Sequence, residues 1–102
     1  MPGERHGRLV EYAPQALDDL GGIFDLIAAD SGPARAEAYV MRIERRCELL
    51  DHFPRAGREM RWLRRGLRLL GFKRRVVIAY VVRTDRVVVQ RVLYGGRVVV
   101  AG

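Results

Sequence analysis

A single cysteine, Cys47, denies this 102-residue chain any internal disulfide, and no metal-ligand spacing surrounds it. It falls in a helical apolar stripe, where free cysteine packs as a small hydrophobe. No apolar run approaches the roughly 20 residues that a membrane-spanning helix requires. The opening, MPGERHGRL, lacks the apolar core of a signal peptide, so cytoplasm is the expected compartment. There is no internal repeat, linker or low-complexity segment. Histidine is confined to His6 and His52. What is present is 49% hydrophobic and 30% charged, the texture of a globular chain with a buried core. At this length it forms one domain over residues 1–102, with residues 1–7 expected to be flexible. No cofactor or metal is expected.

Acids are scarce in one half only. Residues 1–54 hold six arginines and ten carboxylates, a charge of −4, whereas residues 55–102 hold thirteen cations and two acids, Glu59 and Asp85, a charge of +11. Together they give the net +7. A solvated face ordinarily mixes both signs. The second half is therefore expected to meet an anionic partner: nucleic acid, a nucleic-acid-bound enzyme or an acidic protein. Twelve of its thirteen cations are arginine, which favours bidentate contacts to phosphate or carboxylate.

The hydrophobic pattern predicts an α+β fold. Arg8 to Tyr12 reads as a short strand ending before Pro14, which suits a helix first turn. Leu17, Leu20, Phe24 and Ile27 form one helix face, with Asp18 and Asp19 expected in the first turn. Gly21-Gly22 weakens that helix and allows a close backbone approach. Asp30 or Ser31 is a candidate cap before Pro33, where a second helix runs to about Asp51. Its stripe is Ala36, Tyr39, Val40, Ile43, Cys47 and Leu50. So short a link makes the two helices an antiparallel hairpin. Phe53 to Arg58 breaks the helix as a loop. Three β-rich stretches follow, Gly66–Phe72, Arg74–Val82 and Arg86–Leu93, as a three-stranded antiparallel sheet with Thr84-Asp85 as a hairpin turn. The second strand is apolar on both faces, as a central strand is. In the third, Val88, Gln90, Val92 and Tyr94 should share one face, and Val87, Val89, Arg91 and Leu93 the other. The apolar tail from Gly95 to Gly102 either extends the sheet or is ordered by a partner.

Within this order stand specific residues. Phe53-Pro54-Arg55-Ala56-Gly57-Arg58 resembles the FPxxGR loop of the ParE-type toxins, and Arg65-Gly66-Leu67-Arg68 the segment that opens their first sheet hairpin. Arg75 to Tyr80 resembles their R-x-x-I-x-Y strand, and Arg91 to Arg97 their R-V-L-H-G-x-R ending. Tyr12 to Leu20 fits their passage from first strand to first helix. The likeness spans roughly residues 8–97. Tyr94 stands where family members often carry histidine, and Val98 where an acid is usual. The resemblance implies the RelE/ParE-like fold and a toxin of a type II toxin–antitoxin pair. It further implies that the target is DNA gyrase, trapped with cleaved DNA. A ParD-like antitoxin would neutralise the toxin, and operator DNA would be reached only through that antitoxin. RelE-like relatives are instead ribosome-dependent mRNA endoribonucleases, and a non-toxic regulatory member is a third reading.

Chemistry favours binding over cleavage. Metal-free RNA cleavage requires a base, an acid and cations for the phosphorane. The basic half has no histidine, and arginine is a poor base. A nuclease would have to use Glu59 as base and Tyr94 or Tyr80 as acid, with Arg68, Arg75 and Arg91 as cations. As a binding toxin its target contacts are expected from Arg58, Arg68, Arg74, Arg75, Arg91, Tyr94 and Arg97. Structural rivals exist for several of these. Arg58 is a candidate partner for a helix-hairpin carboxylate, Arg91 for an acid, and Tyr80 for the core. Antitoxin contacts are expected from Leu20, Phe24, Tyr39, Trp62 and Leu69, around the groove between helix hairpin and sheet, which suits an amphipathic helix.

Overall fold

The structure, a computed structural model, describes residues 8–95. Strand β1 (Leu9–Tyr12) leads into helix α1 (Pro14–Ser31), helix α2 (Pro33–Glu48) and a 3-10 turn (Leu49–Asp51). Strands β2 (Arg58–Glu59), β3 (Leu67–Phe72), β4 (Val76–Val82) and β5 (Arg86–Tyr94) follow. The α+β order expected from the sequence is present, but the sheet is larger and mixed. It has five strands in the order β1-β5-β4-β3-β2. β1 lies parallel to β5, with Leu9 opposite Arg86 and Tyr12 opposite Val89. The intervening helices supply the long crossover that a parallel pair needs. β2 pairs antiparallel with β3 through only two residues, too short to carry a readable alternation. β4 begins at Val76 rather than Arg74, because Lys73 and Arg74 form the β3–β4 turn with φ of 52° and 61°. The β4–β5 connection at Thr84-Asp85 is the expected tight one, closed by Arg83 N–H donating to Arg86 O at 2.7 Å.

One residue joins the helices. Gly32 has φ 91°, a left-handed value that glycine adopts without Cβ strain. Its N–H donates to Ala28 O at 2.9 Å and ends α1; its carbonyl accepts Ala36 N–H at 3.2 Å and begins α2. The expected cap from Asp30 or Ser31 is therefore absent, and the Ser31 hydroxyl donates to the Asp30 carboxylate at 2.9 Å. Along α1 the buried face is Ala16, Leu20 and Ile23, with Ile27 packed beside them. The helix meets the sheet at the small Ala16, which turns Leu17 outward to 55% exposure, against the expected stripe. With α1 starting at Pro14, Asp18 and Asp19 are its fifth and sixth residues and fall outside the first turn, the place expected for them. The space around Gly21 and Gly22 is open, so the expected close approach does not occur.

The helices cover one face of the sheet. Ile43, Cys47 and Leu50 from the α2 side meet Val76, Ile78 and Tyr80 of β4 and Val87, Val89 and Val92 of β5. The alternation expected for β5 fails at a β-bulge. Ala79 faces Arg91 whereas Tyr80 faces Val89, leaving Gln90 as the extra residue. An extra residue reverses the parity of the strand. Val87 and Val89 thus share the helix face with Val92 and Tyr94. On the opposite face Ala79 and Val81 are also buried, at 7% and 6% exposure, so β4 is apolar on both sides as its sequence predicts. The segment between β2 and β3 reaches towards β5, where the Arg64 guanidinium donates to the Gln90 side chain at 2.7 Å. No helix among the described residues is long and apolar enough to cross a membrane.

Candidate functional site

At one end of the sheet, the loop from Phe53 to Gly57 is fastened by a core residue. The Tyr80 hydroxyl accepts the Gly57 N–H at 2.8 Å and donates to the Pro54 carbonyl at 2.7 Å. Burial pushes its phenol pKa up, opposed by the Gly57 hydrogen bond and the Arg68 charge. A Cβ on Gly57 would lie 2.8 Å from Leu69 O and from the Tyr80 ring, so only glycine fits there. Arg68 donates to Gly57 O at 2.7 Å and lies 3.8 Å from Glu59, which is 4.0 Å from Arg61. Glu59 and Arg68 border an open cleft of about 800 Å³ that Arg8, His52, Phe53 and Arg55 also line. His52 shares a hydrogen bond of 2.7 Å with Asp51.

Arg91 sits midway along the edge of β5 beyond the end of β1. Its guanidinium makes two hydrogen bonds to Asp19 of α1, at 2.8 and 3.0 Å. The same carboxylate accepts the Val92 N–H at 2.8 Å. The Asp19 hydrogen bond raises the Arg91 pKa further. One acid thus holds the helix, the side chain and an otherwise open strand edge together.

At the far end, Tyr94 meets Tyr39 edge-on with ring centroids 6.0 Å apart, and Tyr39 meets Phe72 likewise at 5.8 Å. Burial raises the Tyr39 pKa, as does Tyr94, while Arg75 opposes the shift. Arg75, Tyr39 and Tyr94 line a second cleft of about 480 Å³ with Arg35 and Arg42 of α2.

The residues singled out from the sequence are therefore separated. Arg68 is opposite Tyr80 and Tyr94 is opposite Val76. Four residues of strand, roughly 13 Å, divide the two ends. Glu59 and Arg68 stand at one end, Arg75 and Tyr94 at the other, and Arg91 between them in its own ion pair. Tyr80, fully buried with both hydrogen bonds taken, has no free proton for a substrate. Arg58 and Arg74 are exposed. Arg58 is on β2 and, among the described residues, makes no ion pair with a helix-hairpin carboxylate. Arg97, His6, residues 1–7 and the tail beyond Gly95 lie outside the described residues. Of the apolar candidates, Leu20 is core at 5% exposure and offers almost no surface. Phe24, Tyr39 and Leu69 are half-buried, and Trp62 is 74% exposed.

Sequence reasoning missed Asp19 as the Arg91 partner, and Arg35 and Arg42 as neighbours of Arg75. The seven-residue spacing of Arg35 and Arg42, with Tyr39 between, was the available signal. Among the described residues no three His, Cys, Asp or Glu side chains gather to hold a metal.

Comparison with known proteins agrees with the fold. The family model for the ParE toxin of the type II toxin–antitoxin system parDE matches residues 10–99. A chain from the structure of the chromosomal ParDE toxin–antitoxin system of P. aeruginosa superposes with a TM-score of 0.76. It is 23% identical, and the match covers 87% of this chain and 97% of that one, a likeness of fold. No curated protein matches the sequence.

Proposed function

Since the chain belongs to the ParE toxin family of type II toxin–antitoxin systems, we propose that it binds DNA gyrase, traps it with cleaved DNA and is neutralised by a ParD-like antitoxin. The observation that carries binding over cleavage is the separation of Glu59 from Tyr94 by four residues along β4, roughly 13 Å. General acid–base catalysis needs both groups within hydrogen-bond reach of one phosphodiester. Binding needs only a surface of the right charge, and the strands and turns of the second half carry Arg58, Arg74 and Arg75 exposed. In this reading those three, with Tyr94 and Arg97, contact the target. Arg68 and Arg91 act as positioning residues, holding the Phe53–Gly57 loop and the edge of β5.

The antitoxin is assigned the apolar surface that the fold leaves open. Trp62, Phe53, Leu26 and Leu17 are each more than half exposed, and Phe24, Tyr39 and Leu69 contribute partly buried area. Tryptophan is enriched among binding hot spots, and its fluorescence reports directly on docking.

The test is incubation of the purified chain with gyrase, supercoiled DNA and ATP, followed by denaturation of the enzyme. Accumulation of cleaved DNA is expected, weakened by Arg74→Gln with Arg75→Gln, and abolished by a co-purified ParD-like protein. Intact DNA together with mRNA cleavage in a translating extract overturns the reading in favour of a ribonuclease.

A further inference from the structure

Helix α2 sorts its charges by flank. Glu37, Glu44 and Glu48 recur at i, i+7 and i+11 and form one line. Arg35, Tyr39 and Arg42 recur at i, i+4 and i+7 and form another, roughly 160° around the helix from the acids. The buried Ala36, Ile43 and Cys47 lie between the two lines. The acidic flank is turned towards Tyr12, whose phenol pKa is raised first by burial and also by Glu44 and Glu48. The basic flank borders the second cleft, where Arg75 and Tyr94 arrive from the sheet. A helix in the acidic half of the sequence thus delivers arginines to the basic half.

Among the described residues, Arg35, Arg42 and Arg75 make no ion pair with one another's elements or with the rest of the fold. Among the described residues Asp30 is the only acid lining the cleft, and it accepts the Ser31 hydroxyl. Three like charges around one cleft repel, and an anion between them removes that cost. The phenols of Tyr39 and Tyr94 add neutral hydrogen-bond donors. We propose that this cleft is a phosphate-binding site that holds the phosphodiester backbone of a nucleic acid. Arginine forks match phosphate oxygens in pairs. Arg35 and Arg42 lie two turns apart, about 10 Å along the axis, a length that follows a strand backbone rather than a single ion. The proposal rests on Arg75 and Tyr94 being target contacts, but it does not require gyrase. It gives the toxin a grip on nucleic acid of its own.

The test is anisotropy titration of a labelled DNA duplex, and of an RNA of the same sequence, with the full chain from about 50 to 200 mM salt. The cleft variant is Arg35→Gln, Arg42→Gln and Arg75→Gln together. The charge-matched control is Arg45→Gln, Arg61→Gln and Arg83→Gln, all exposed and outside the cleft. The cleft variant is expected to lose at least about tenfold in affinity and to reduce the salt slope by about 2, the control by clearly less. Loss on DNA, on RNA or on both supports the site and identifies its polymer. Equal loss in both variants means diffuse attraction and overturns it, as does unchanged binding by the cleft variant. So does capture of polyglutamate with no binding to either polymer. Thermal melting checks the fold, and Arg42→Glu alone repeats the test with one exposed change. Gyrase is absent from the measurement, so failure here and failure of gyrase trapping are separate results.

Discussion

Gly57 has no room for a side chain, and Tyr80 is the reason. The ring and hydroxyl of Tyr80 fill the space where a Cβ would stand, and the hydroxyl holds both Gly57 and Pro54. Tyr80→Phe leaves a buried N–H and a carbonyl without that partner, a loss of about 1–3 kcal/mol in urea unfolding. Gly57→Ala should cost a similar about 1–3 kcal/mol through overpacking. A Tyr80→Phe protein as stable as the parent would show that the loop is held by other contacts. Cys47 makes a second residue-scale prediction. Burial pushes its thiol from 9.0 up to about 11. The unfolded thiol ionises first, so the folded state binds the extra proton between these values. Stability from this group is full below about pH 9 and falls as pH rises towards about 11, by on the order of 2–3 kcal/mol. Tyr12, Tyr39 and Tyr80 are shifted in the same direction from 10.0, so their losses begin higher. Cys47→Ala should remove the decline between about pH 9 and 10 in stability curves taken across that range.

At the scale of elements, α1 is weaker than its packing requires. Gly21 and Gly22 face open space inside an 18-residue helix. Gly21→Ala and Gly22→Ala are each expected to stabilise the protein by up to about 1 kcal/mol, read as a rise in thermal midpoint. A fall would mean that these glycines meet something the isolated chain lacks. The β3–β4 hairpin carries the opposite message. Two successive left-handed residues suit Asn-Gly, yet Lys73 and Arg74 occupy them. Replacing them by Lys73→Asn and Arg74→Gly should raise stability by about 1–2 kcal/mol while weakening target trapping. Stabilisation without loss of trapping would remove Arg74 from the target surface. The FPxxGR loop was legible in the sequence, and so was the β4–β5 hairpin. The parity of β5 was not, because a bulge at Gln90 depends on its partner strand and leaves no mark on local periodicity.

In the whole molecule the acidic and basic halves of the chain meet at several points. Arg35 and Arg42 join the basic sheet end, and Asp19 crosses to Arg91. The candidate residues then fall into three places rather than one: the Tyr80 latch, the edge of β5 and the second cleft. The first two hold the fold together, and the third gathers arginines that make no ion pair among the described residues.

The sequence alone determined the element order apart from the two-residue β2, the helix hairpin, the central apolar strand and the family, because each is written in local periodicity, in turn residues or in ordered motifs. Only the tertiary structure decided that β1 closes the sheet beside β5, that Leu20 is core, that Asp19 holds Arg91, and that α2 lends two arginines to the basic half. Each of these joins residues far apart in the chain. Their meeting is fixed by how the helices pack on the sheet, and that packing has no period to read.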